Sequence, residues 1–165
     1  MARNNVPNVS IENAQIRFRN FTGEPTKYNK VGGKRTFSVV LDPDMAQTLM
    51  EDGWNVKTWE PEGADEPLYH LPVEASYNLY PPKIFMISGH KKTLLTEETL
   101  AALQYAEFER VDLIIRPYCW EVNEKSGVKA YVKSMYVTIV EDEFEKKYKD
   151  FEDDSDGDDD DDAPF

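Results

Sequence analysis

The sequence predicts a mainly β fold: a small Greek-key barrel with one or two inserted short helices and a disordered acidic C-terminal tail. Three observations predict it. Stretches with the two-residue period of strands outnumber those with helical spacing, and the last two are long and joined as a hairpin. The 165 residues, 40% apolar and 12% aromatic, suit a single core. Charge is also segregated. Acids outnumber bases 32 to 19, yet residues 141–165 hold 14 acids and 3 lysines while residues 1–140 are nearly neutral. The division is drawn at 1–148 for the domain and 149–165 for the tail.

The elements follow in order. Within residues 9–22, Ala14, Ile16 and Phe18 fall on one face and Gln15, Arg17, Arg19 and Phe21 on the other, the period of a strand. Residues 23–33 carry Pro25, Gly32-Gly33 and two lysines, which predicts a loop. Residues 34–41 form a second strand with Phe37, Val39 and Leu41 on one side. Asp42 suits an N-cap, Pro43 the first helical position and Gly53 the stop. With Met45, Ala46, Leu49 and Met50 between them, they predict a helix at 43–52.

Residues 54–60 and 68–80 are extended around a Pro- and acid-rich loop, and 83–88 resumes as a strand after Pro81-Pro82. Thr96 followed by Glu97 and Glu98 predicts a second helix running to Phe108, with Leu100, Leu103 and Ala106 inward. Strands 110–122 and 128–140 close the chain around a five-residue connector, 123–127. Strands, a helix and a closing hairpin in this order are the succession of an oligonucleotide-binding (OB) barrel, with 43–52 and 60–95 as insertions. A sandwich with peripheral helices is the alternative.

Several function classes fall away. A single cysteine, Cys119, cannot form an internal disulfide, and no Cys/His cluster spells a zinc site. Neither a signal peptide nor a membrane span is legible, so a cytoplasmic protein is expected. His70 and His90 have no metal-ligand spacing, and Gly32-Gly33-Lys34 lacks the rest of a phosphate loop. Glu107, Glu109 and Asp112 at a helix–strand junction suit a solvated turn better than a two-metal nuclease. An EF-hand alignment starting at Glu152 puts Ala163 where a bidentate Glu is required. No enzyme, cofactor or metal is expected.

The segment 152–165 has nine acids and no base, and cannot bury enough surface to offset its ordering entropy. It closes on Asp158, Asp159, Asp160, Asp161, Asp162, Ala163, Pro164 and Phe165, an anionic arm with an aromatic anchor. A pocket with a basic rim is the surface that would accept it.

This acidic run ending in Pro-Phe resembles the C-terminal tip of bacterial single-stranded DNA-binding proteins, with Ala163 where that tip carries Ile or Leu. The whole layout resembles the single-stranded DNA-binding proteins of short-tailed bacterial viruses. The resemblance implies a body that coats single strands in replication, recombination and repair. It also implies a tail that recruits partner enzymes (polymerase, primase-helicase or exonuclease) and competes with DNA for the groove. The setting implied is a host bacterial cytoplasm, with no membrane partner; a homo-oligomer is compatible with it.

A non-specific single-strand binder needs cations to follow phosphates and rings on which bases stack. Three stripes interleave the two: Arg17, Arg19 and Phe21; Arg116, Tyr118 and Trp120; and Lys129, Tyr131 and Lys133. Lys27, Tyr28, Lys30, Lys34 and Arg35 add a basic arm where the OB barrel grips a strand between its first two strands. Trp54 and Trp59 are expected in the core. The competing class is an acidic interaction adaptor or DNA mimic that binds no single-stranded DNA, in which the stripes would be buried or scattered.

Overall fold

The computed structural model describes residues 6–25, 32–63, 65–78 and 80–140. Lys27, Tyr28 and Lys30 of the basic arm, and Asp158 to Asp162, Pro164 and Phe165 of the tail, lie outside the described residues. Nine strands occur among those described: β1 (Val9–Ile11), β2 (Ile16–Asn20), β3 (Thr36–Leu41), β4 (Lys57–Trp59), β5 (Leu68–Glu74), β6 (Lys83–Ser88), β7 (Lys91–Leu95), β8 (Phe108–Val122) and β9 (Lys125–Ile139).

The main path of the sheet runs β1-β8-β9-β5-β3-β2. Its two ends are successive pieces of the single strand predicted at 9–22. That strand breaks at residues 12–15, where Asn13 has φ +54° and the Ala14 N–H donates to the Val111 carbonyl at 2.7 Å. One half pairs with β8 and the other with β3, so a bent strand bridges the two edges. The fold is mainly β and OB-like, as the order of elements predicted.

Of the two expected insertions 43–52 is one, but 60–95 is only partly so: β5 lies in the main sheet path, paired with β3 on one side and β9 on the other. α1 (Pro43–Glu51) is capped by the Asp42 carboxylate, which accepts from the Met45 N–H at 2.8 Å, and it buries Ala46 and Leu49. Gly53, at φ +95°, ends it in the left-handed conformation that favours glycine. β6 and β7 form an added hairpin beside β9; the sequence reading had β6 but no β7.

The second predicted helix is a correction. Of residues 96–108 only Leu100–Leu103 is helical, as one 3-10 turn. Leu100 and Leu103, three apart and fully buried, suit that tighter winding. The carbonyls that would continue a helix have other donors. The Arg19 guanidinium donates to those of Leu103 (3.1 Å), Gln104 (3.2 Å) and Ala106 (2.6 Å), and the Val140 N–H donates to that of Glu107 (2.8 Å).

The closing hairpin is longer and tighter than expected. Its turn is two residues, Asn123 (φ +52°) and Glu124 (φ +68°), both left-handed as a type I′ turn requires. The barrel core gathers Phe37, Leu71, Ile84, Ile115, Met135 and Val137 on the inner faces of the strands. No helix among the described residues is long and apolar enough to cross a membrane.

Candidate nucleic-acid interface

Alternation along β8 sends Val111, Leu113 and Ile115 inward and Arg116, Tyr118 and Trp120 outward. On β9, Val128, Ala130 and Val132 point inward and Lys129 and Tyr131 outward. Arg116 pairs with Tyr131 and Tyr118 with Lys129, so two of the predicted stripes become one patch. The Tyr118 and Tyr131 rings meet edge to face, with centroids 6.1 Å apart. Arg116 lies over Tyr131 at 5.3 Å and over Tyr80 at 4.8 Å, and the Lys129 ammonium lies 5.0 Å from the Tyr131 ring. Tyr118 is 52% exposed and Trp120 37%.

Lys129 is not an isolated cation. Its ammonium donates to the Glu74 carboxylate at 2.8 Å. Burial opposes the charge on Lys129, but the hydrogen bond and charge of Glu74, with a contribution from Tyr131, outweigh it and hold its pKa above the usual lysine value.

Beside the hairpin tip a cleft of about 470 Å³ is lined by Trp54, Trp120, Gly127, Glu74, Lys129 and exposed Lys34. Trp54 is buried, as expected of it. Gly127 lets the Trp120 indole lie against the backbone: a Cβ would come within 2.8 Å of the ring, which would have to shift.

The β9 bulge extends the patch. Ile114 pairs with Ser134 and Ile115 with Val132, which leaves exposed Lys133 as the extra residue and reverses the parity of the strand beyond it. Tyr136 therefore faces outward beside Phe85 of β6, the rings stacked 5.1 Å apart, and Lys92 lies over both. Tyr80, Phe85, Lys92 and Tyr136 were missed in the sequence reading. A usable signal was the aromatic Phe85 alternating with buried Ile84, on a strand with apolar residues on both faces.

The third stripe is corrected. Phe21 is 0% exposed and packs on Phe37 at 5.5 Å, so it offers no ring to a ligand. Arg19 is drawn onto the 3-10 turn and stacks over Phe108 at 3.7 Å, and burial lowers its pKa. A bulge in β2 causes both changes: Arg17 pairs with Ser38 and Asn20 with Thr36, leaving two residues opposite Phe37. Arg17 keeps its outward place, 5.3 Å from the Trp59 ring. Trp59 is half-buried on the outer face, outside the core expected for it. Arg35 pairs with Glu97 at 3.3 Å.

An OB-like barrel with rings and cations interleaved on its outer face defines a class of protein built to hold single-stranded polynucleotide. The family described as "Putative phage ssDNA-binding domain" matches residues 1–163, and the chain belongs to it. In fold it is similar to the single-stranded DNA-binding protein of bacteriophage Enc34 in complex with ssDNA. That likeness has TM-score 0.51 and 11% identity, over 82% of this chain and 88% of that one. A C-terminally truncated form of the same phage protein gives 0.50 and 10%, over 82% and 87%. No curated protein sequence matches.

Proposed function

We propose that this chain binds single-stranded DNA without sequence preference and without catalysis, coating unpaired strands during replication and recombination in a host bacterial cytoplasm. The observation that carries the reading is the exposed patch of β8 and β9, where Arg116, Tyr118, Lys129 and Tyr131 interlock across the hairpin with Tyr80 and Trp120 at its margins. Rings stack on any base and cations follow any phosphate, so such a surface tolerates every sequence. Lys34 and Lys133, exposed around the patch, extend its positive rim. Lys27, Tyr28 and Lys30, of the basic stretch between the first two predicted strands, are assigned to phosphate and base contacts. The tail, residues 149–165, is assigned to partner enzymes, with Phe165 as anchor and Asp158 to Asp162 as its charge.

The test is tryptophan quenching and mobility shift with an oligothymidylate. Stacking contributes about 1–3 kcal/mol per base, so Tyr118→Ala with Tyr131→Ala weakens binding at least about fivefold. With about four phosphates neutralised, log K falls against log salt with a slope near −3. Absent or duplex-only binding overturns the reading in favour of an acidic adaptor or DNA mimic.

A further inference from the structure

Phe18 is the one bulky residue among the described ones held at φ +57°; the other non-glycine residues at positive φ are Asn13, Asn123 and Glu124. Side chains such as phenylalanine are rare in this region because the Cβ crowds the following carbonyl. The β2 bulge has its own structural reasons, since it sends Arg19 to the 3-10 turn and Phe21 to the core. Those reasons ask only for a residue that tolerates the left-handed conformation, and glycine or asparagine would serve. They do not explain an aromatic ring that is 54% exposed.

The surroundings of the ring supply a reason. Arg17 pairs with Ser38, Ser38 with Pro72, and Lys57 with His70, which brings β2, β3, β5 and β4 together on the outer face. Phe18 meets Trp59 edge to face at 5.4 Å and His70 at 5.2 Å, while Arg17 covers Trp59 at 5.3 Å. The Arg17 Nε–H is buried without an acceptor, a donor left over by the protein. Strained residues cluster at ligand contacts, where the surrounding structure holds them in place.

We infer that Phe18, Trp59 and His70, with Arg17, form a second base-stacking subsite for the same single strand, separate from the Tyr118/Tyr131 platform. The inference rests on the single-strand reading above. The two platforms are joined by β5, whose Glu74 pairs with Tyr131; from His70 to Glu74 is four residues, about 13 Å of strand. A strand crossing β5 reaches both.

The test is Phe18→Gly in the full chain, with an oligothymidylate of about 16 nucleotides as probe. Glycine removes the ring and the backbone strain together. The expected result is an unchanged or higher melting temperature, affinity reduced about fivefold or more, and an unchanged salt slope. Wild-type affinity in the variant overturns the subsite. A lower melting temperature overturns the claim that the ring is held against stability. In a protein carrying both Trp54→Phe and Trp120→Phe, Trp59 is the one tryptophan left, so quenching by the same oligonucleotide reports it, and binding without quenching also overturns the subsite. Failure of the wild-type chain to bind overturns the single-strand reading itself; wild-type binding with an unaffected Phe18→Gly variant removes only the subsite.

Discussion

Glu74 sets how much of the patch is cationic. It is only 14% exposed and takes the Lys129 ammonium at 2.8 Å, so much of the charge on Lys129 is already balanced before a phosphate arrives. Glu74→Gln frees the ammonium. Titrations of oligothymidylate against salt are expected to show tighter binding by the variant at low salt and a slope steeper by about 0.7, one further phosphate. His70 is the other residue with a balance to read. Burial, and then the nearby Lys57, lowers its pKa, and its Nδ1 lies 3.0 Å from the Ser38 hydroxyl. The unfolded chain therefore takes the proton at higher pH than the folded one. The contribution of neutral His70 to stability is complete above the unfolded value, about 6.5, and is lost as the pH falls through the lower folded value. Melting temperatures across this range are expected to drop more for the wild type than for His70→Asn.

At the scale of elements, most strands and the first helix are legible in the sequence, because alternation and capping are local signals. The segment 96–108 is not. Its composition favours a helix, but its carbonyls face Arg19, 84 to 87 residues earlier in the chain, and Gln104 exchanges hydrogen bonds with the backbone of Arg19 and Phe21. Tertiary partners overrode helix propensity there. The same latch explains why Arg19, placed by its alternation on the outer face, is a structural residue. Arg19→Met is expected to cost about 2–3 kcal/mol in denaturant unfolding, from charged hydrogen bonds lost to carbonyls left without donors. Its affinity for oligothymidylate under native conditions is expected to match the wild type.

For the molecule as a whole, near-neutral residues 1–140 are joined to a segment carrying most of the net −13. A tethered polyanion competes for a basic face at high effective concentration. Removing residues 149–165 is expected to tighten oligothymidylate binding, most at low salt where the Debye length is long. Equal affinity with and without the segment would exclude that competition. The site was only partly visible from sequence at this scale. Of the proposed site, Arg116, Tyr118, Trp120, Lys129 and Tyr131 were legible because they lie on regularly alternating stretches of β8 and β9, while Lys133, named with them, is the extra residue of the β9 bulge; Phe18, Trp59, Tyr80, Phe85, Lys92 and Tyr136 were not legible.

By itself the sequence determined the mainly β class, the OB-like order of elements, the N-capped helix and the two stripes that become the β8/β9 patch. Each follows from a period or a cap confined to neighbouring residues. Only the tertiary structure decided which way the residues around the bulges of β2 and β9 point. A single extra residue there moves every later side chain to the opposite face, and what holds such a residue in place is packing against strands and turns far away in the chain.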